Sequence, residues 1–234
     1  MGQLPEKGAK PTAVDAFLEA AGRVPAPVEG RGRMIFALDA TMSRQPTWDL
    51  AQDLQQRMFE AARGFGGLDV QLVYFRGFNE CRASRFVSQG AGLAEIMSKI
   101  DCRGGHTQIG KVLAHVRDEA KSARVGAFVF VGDAMEEKAD HLCAIAGELA
   151  LRGVRAFMFH EGSDAAAAGA FKEIARLTGG AYAAFDAGAP QKLAALLGAA
   201  AAYAAGGLAA LETQAREGNA QARMLITQIG GGRG

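Results

Sequence analysis

The chain has 234 residues, enough for one substantial core with terminal appendages. Its 26 basic and 25 acidic residues nearly cancel, no dense basic run occurs, and one Trp with three Tyr offers little for base stacking, so nucleic acid is excluded as the expected partner. Cys81, Cys102 and Cys143 are scattered and form neither a disulfide framework nor a metal-ligand spacing, so a reducing, cytoplasmic setting is expected, with each thiol acting as a small core residue.

The N-terminus has no apolar run behind its positive charges, which argues against a secretory signal, and Glu6 stands where a myristoylation signal needs Ser or Thr. Residues 1–29 read as an arm with one short helix over 14–22 between Pro-bearing stretches. From Arg33 onward, apolar strands alternate with amphipathic helices. MIFALD, 34–39, is a strand buried on both faces, and a helix follows over 46–63 with Pro46 suited to its first turn. Strands at 69–77 and 80–88 are joined by a short turn at Phe78 and Asn79, giving a hairpin whose second arm carries Arg82 and Arg85, as an exposed edge would.

A short helix over 93–99, the Gly-rich stretch CRGGHTQIG and a helix from 107 or 108 to 123 come next. They lead into the second strongly buried strand, 126–133. Helix 136–151, strand 154–161, helix 165–177, strand 181–186 and helix 190–205 complete a domain spanning 30–205. Residues 206–234 form a helical tail, with a helix near 208–217 and the apolar ending MLITQI, which either folds back or docks a partner. The uncharged run LAALLGAAAAYAAGGLAAL has the length of a membrane span, but ten of its 19 residues are Ala and only five are Leu, so it reads as a small-residue helix packed on a sheet and no membrane span is expected.

This order of elements specifies an α/β fold: a doubly wound, mostly parallel, Rossmann-like six-stranded sheet in the order 3-2-1-4-5-6, with one antiparallel edge strand and helices on both faces. The strands ending at Asp39 and just before Asp133 then lie side by side where the order reverses, the place at which open α/β sheets bind ligands. Two neighbouring buried carboxylates need a positive charge between them. Thr41 and Ser43, at alternate positions after Asp39, supply neutral oxygens, and Thr107 in the Gly-rich loop can add another. Two carboxylates, three hydroxyls and no His or Cys suit Mg2+, with Mn2+ as the other possibility, better than zinc. The simpler use of these hydroxyls is to cap the following helix.

The ordered set DATMS, GGHTQIG and FVGDA resembles the von Willebrand factor type A (VWA) domain with its metal-ion-dependent adhesion site, whose pattern is DxSxS, then a Thr, then an Asp; the likeness runs from Arg33 to Tyr203. Thr41 replaces the first Ser, and GDA replaces the usual TDG. The resemblance implies that Thr41, Ser43 and sometimes Thr107 coordinate the metal directly while Asp39 and Asp133 act through water. It also implies that an Asp or Glu of a protein partner fills the open position. Arg44, Trp48, His106 and Glu136 border these residues and are expected on the rim that meets the partner. Acidic residues at 136 and 137 also suit the first turn of their own helix.

Two enzymatic readings compete. GHTQIGKV comes close to a phosphate-binding loop, but Val112 stands where a Ser or Thr should hold magnesium and a helix precedes it. Asp39 as a phosphoryl-accepting nucleophile of a Mg2+-dependent hydrolase or transferase would need a second Asp two residues on, where Thr41 stands. The expectation is therefore a non-enzymatic, metal-dependent protein-binding module.

Overall fold

The central strand β1 (Gly32–Asp39) is buried at every residue from Met34 to Asp39, as a strand covered on both faces must be. The computed structural model describes residues 30–186 and 188–231; the arm over 1–29, with its helix at 14–22, lies outside the described residues. Met34, Phe36 and Leu38 point into one core and Ile35 and Ala37 into the other, following the two-residue period of a strand.

β1 leads through a single 3-10 turn into α1 (Gln45–Ala62), which has Pro46 in its first turn and buries Trp48, Ala51, Leu54 and Met58 at helical spacing. β2 (Leu68–Arg76) and β3 (Glu80–Val87) form the expected antiparallel hairpin. Then come α2 (Gly90–Met97), α3 (Ile109–Ser122), β4 (Ala127–Gly132), α4 (Ala139–Leu151), β5 (Arg155–Glu161), α5 (Ala165–Leu177), β6 (Ala181–Phe185), α6 (Pro190–Arg216) and α7 (Ala220–Gly231). The sheet order is β3-β2-β1-β4-β5-β6, parallel except for β3. β1 pairs with β2 on one side and β4 on the other, with Leu38 opposite Val131, so the chain ends of β1 and β4 are neighbours at the point where the order reverses.

One face of the sheet is covered by α1 and α6, which pack on each other, and the other by α3, α4 and α5. The small residues of α6 have a specific use. A Cβ at Gly32 would lie 2.5 Å from the carbonyl oxygen of Ala204, and one at Gly126 would lie 2.7 Å from it, so both strand entries leave room for the helix backbone itself. By length and hydropathy α6 could cross a membrane, yet most of its apolar stretch is buried inside this fold, where Leu193, Leu196 and Leu197 close the first core. The helix breaks at Gly206 and Gly207, the latter at φ 65°, ψ −152°, a conformation open to glycine alone.

Of the two fates open to the tail, the structure shows the fold-back. Ala222, Leu225 and Ile229 of α7 are buried in the first core. Gln228 receives the Tyr182 N–H through Oε1 at 2.8 Å and donates through Nε2 to the Tyr182 carbonyl at 2.8 Å, so a side-chain amide occupies the free edge of β6.

One boundary departs from expectation for a functional reason. The helix expected from 136 begins at Ala139, because Glu136 and Glu137 leave it to serve a different segment.

Candidate metal centre

Once β1 ends, the backbone curls around the Asp39 side chain. The N–H of Ala40 makes a last ladder bond to the Phe75 carbonyl at 3.0 Å, then the N–H of Thr41 donates to Asp39 Oδ1 at 2.8 Å. Such a turn is the usual local use of an Asp side chain. The 3-10 turn that follows brings Thr41 Oγ1 and Ser43 Oγ to 3.4 Å of each other, and Ser43 Oγ donates to Asp133 Oδ2 at 3.3 Å. Asp39, Thr41, Ser43 and Asp133 are thus linked in one chain of contacts across 94 positions of sequence, at the rim where β1 and β4 meet. Neither helical start in this loop uses a side-chain cap, so the hydroxyls of Thr41 and Ser43 are not consumed in the simpler role open to them.

Asp39 is 1% exposed, and burial pushes its carboxyl up to about 6. Hydrogen bonds from the Thr41 backbone and side chain oppose the rise, the charge of Asp133 adds to it, and Arg44 opposes it.

Thr107 reaches this group through Glu136, three residues beyond Asp133. The Thr107 N–H donates to Glu136 Oε2 at 3.0 Å, and the Glu136 N–H donates to Thr107 Oγ1 at 3.0 Å. The pair has the logic of a capping box, closed between segments 29 residues apart. It holds the Glu136 carboxyl below its usual range, chiefly through the Thr107 N–H and next through His106. Glu137 completes the support by accepting from the N–H groups of Ile109 and, at 2.8 Å, Gly110, so it caps α3 from another loop. The Thr107 loop is tied to the loop after β1 by the Arg103 N–H on the Ala40 carbonyl at 2.9 Å, and to the hairpin turn by the His106 N–H on the Gly77 carbonyl at 3.2 Å.

The four residues expected on the rim divide evenly. His106 and Glu136 are exposed there and bonded to each other at 3.0 Å, and Phe78 sits edge-on to His106 with ring centroids 5.3 Å apart. Arg44 and Trp48 are not on the rim: each is 1% exposed. Trp48 packs edge-to-face on Tyr74 because it falls on the apolar stripe of α1. Arg44 is buried because two carboxylates receive it: Nη2 pairs with Glu161, and Nη1 lies 3.7 Å from Asp133 Oδ2. Thr47 donates to the same Glu161 oxygen as Arg44. Sequence reasoning left Glu161 and Thr47 outside the site, and Glu137 outside its supports; the one signal for Glu161 was its place at the end of the strand next to β4.

His160 Nε2 donates to the Asp133 carbonyl at 3.2 Å, which leaves Nδ1 to accept from the Tyr182 hydroxyl at 3.0 Å. His160 therefore fixes the backbone of Asp133 and not its carboxylate. Lys111, the residue that made GHTQIGKV look like a phosphate loop, is spent on Asn79 and on Gln108 at 2.9 Å.

Among the described residues no group of three or more His, Cys, Asp and Glu side chains gathers as metal ligands. What gathers instead is a set of hard oxygens: the carboxylates of Asp39 and Asp133 and the hydroxyls of Thr41 and Ser43, while the bonds of Thr107 run to Glu136. That set, with the buried Asp39 carboxyl among its members, fits a hard divalent cation.

No protein-family model matches the sequence, and no curated protein matches it. Solved structures do match the fold. The SpRpn10 VWA domain superposes with a TM-score of 0.55 at 12% identity, covering 70% of this chain and 95% of that one. The ArnB paralog VWA2 from Sulfolobus acidocaldarius gives 0.51 at 15% identity over 71% of this chain and 45% of that one. Proximal thread matrix protein 1 from the mussel byssus, solved with a zinc-occupied MIDAS motif, gives 0.57 at 17% identity over 74% of this chain and 46% of that one. The chain thus spans nearly all of the first domain but less than half of the other two proteins. Its fold is that of a VWA domain.

Proposed function

We propose that this domain binds a protein partner through a Mg2+ ion, with Mn2+ as a substitute, held by Asp39, Thr41, Ser43, Thr107 and Asp133, and that the partner offers an Asp or Glu to the metal. The observation that carries this reading is the contact chain from Asp39 through Thr41 and Ser43 to Asp133, closed at the switch point of the sheet with its hydroxyls free of capping duty.

Bound there, the ion would supply one open coordination position of positive character. The chain's own residues do the rest. Asp39 and Asp133 balance the double charge, the hydroxyls complete the oxygen shell without adding charge, and Glu136 with Glu137 hold the Thr107 loop in place. His106 and Glu136, with Phe78 beside them, remain the exposed groups a partner would meet first. Thr41 stands where a phosphoryl-transfer reaction from Asp39 would need its general acid, which supports a binding module over an enzyme. The three free thiols support the cytoplasmic setting.

The test is direct. Calorimetry should show weak Mg2+ and Mn2+ uptake that disappears in Asp39→Ala and drops in Thr107→Ala, and chelator should release the native partner from the wild-type domain. Hydrolysis of a phosphate ester that vanishes in Asp39→Asn would overturn the reading in favour of the enzyme.

A further inference from the structure

Among the described residues Arg44 is the only buried arginine. A guanidinium in a core is costly unless carboxylates receive it, and one with an unsatisfied donor costs more. Arg44 Nε has no hydrogen-bond partner, so its geometry is not optimised for local stability. Its two terminal nitrogens instead span two strand ends: Nη2 on Glu161 at the end of β5, Nη1 at 3.7 Å from Asp133 Oδ2 just after β4. Glu161 is held additionally by the Thr47 hydroxyl. Asp133 Oδ2, the same oxygen that faces Arg44, also accepts from Ser43 at 3.3 Å. The carboxylate expected to help hold the metal therefore already has a cation beside it.

We propose that Arg44 is a resident counter-cation that competes with the divalent ion for Asp133, and that Glu161 sets the strength of that competition by drawing Arg44 away. This inference rests on the metal reading above. It assigns opposite effects to the two members of one ion pair. Removing Arg44 leaves Asp133 uncompensated, so a divalent ion should bind more tightly. Removing the charge of Glu161 directs the guanidinium wholly toward Asp133, so the ion should bind more weakly. A merely architectural ion pair would weaken binding in both cases, because either loss would loosen the loop that carries Ser43.

The experiment is titration of the full chain with Mn2+ alone, following free Mn2+ by electron paramagnetic resonance, in wild type, Arg44→Met, Glu161→Gln and Asp133→Asn. Affinity should rise about tenfold or more in Arg44→Met, fall in Glu161→Gln and vanish in Asp133→Asn. Should Arg44→Met not fold, the double variant Arg44→Met with Glu161→Gln removes the pair without stranding the buried Glu161 charge and should still bind more tightly than wild type. Equal affinity in wild type and Arg44→Met, with binding lost in Asp133→Asn, would overturn the role of Arg44 and leave the metal site standing; so would tighter binding in Glu161→Gln. No Mn2+ binding by wild type or by any folded variant would overturn the metal reading itself, and this inference with it.

Discussion

Replacing Asp39 with Asn is expected to stabilise the metal-free domain at neutral pH while abolishing its response to divalent ions. Burial raises the Asp39 carboxyl from 3.8 to about 6, against the pull of the Thr41 hydrogen bonds. Between those two values the folded chain holds a proton that the unfolded chain has released. Stability therefore falls as pH rises through that window, and the deficit is complete above about pH 6. A rise of about two units at about 1.4 kcal/mol each puts the deficit at about 3 kcal/mol, or roughly 6–12 °C in Tm for a chain of this size. Asn keeps an oxygen to accept the Thr41 N–H, which lies 2.8 Å from Oδ1, so the turn survives the change. Urea unfolding in chelator should show wild type and variant close together at pH 4 and the variant ahead by up to about 3 kcal/mol at pH 7.5. Mn2+ at a hundred times its Kd should then stabilise wild type by about 2.7 kcal/mol and leave the variant unmoved. An Asp39→Asn protein less stable than wild type at pH 7.5 in chelator would refute the reasoning, because it would show that the buried charge is already compensated.

Glu137→Ala removes the acceptor of two N–H groups at the start of α3, so the domain should lose about 1–2 kcal/mol; amide exchange at Ile109 and Gly110 should quicken, and an unchanged rate there would contradict the capping role. Gly126→Ala places a Cβ 2.7 Å from the Ala204 carbonyl oxygen, which forces α6 off the sheet and should cost about 1–3 kcal/mol in urea unfolding, whereas a neutral outcome would mean the helix is not seated closely.

The fold was legible because its signals are local. β1 and β4 are apolar at every inward position, the hairpin is marked by its turn, and the paired glycines at 206 and 207 mark the break in α6. The start of α4 was not legible. Acidic residues just before a helix suit that helix's own first turn, and nothing in EEKAD distinguishes this use from capping a helix 27 residues earlier. Only the approach of the β4 exit to the Thr107 loop decides it, and that is a tertiary fact.

The site divides along the same line. Asp39, Thr41, Ser43 and Asp133 could be paired on paper because strand order alone makes β1 and β4 neighbours. Arg44 could not, because a charged residue beside a loop is by default solvated, and its burial depends on where its partners sit. β1, β4 and β5 are consecutive in the sheet and each delivers a carboxylate to the same rim: Asp39, Asp133 and Glu161. A largely buried edge cannot keep three negative charges uncompensated. Arg44 neutralises one and thereby accounts for its own burial. The two charges that remain are those of Asp39 and Asp133, and burial, with the charge of Asp133 adding to it, raises the Asp39 carboxyl to about 6. On the reading proposed above, a divalent cation would supply the balancing charge.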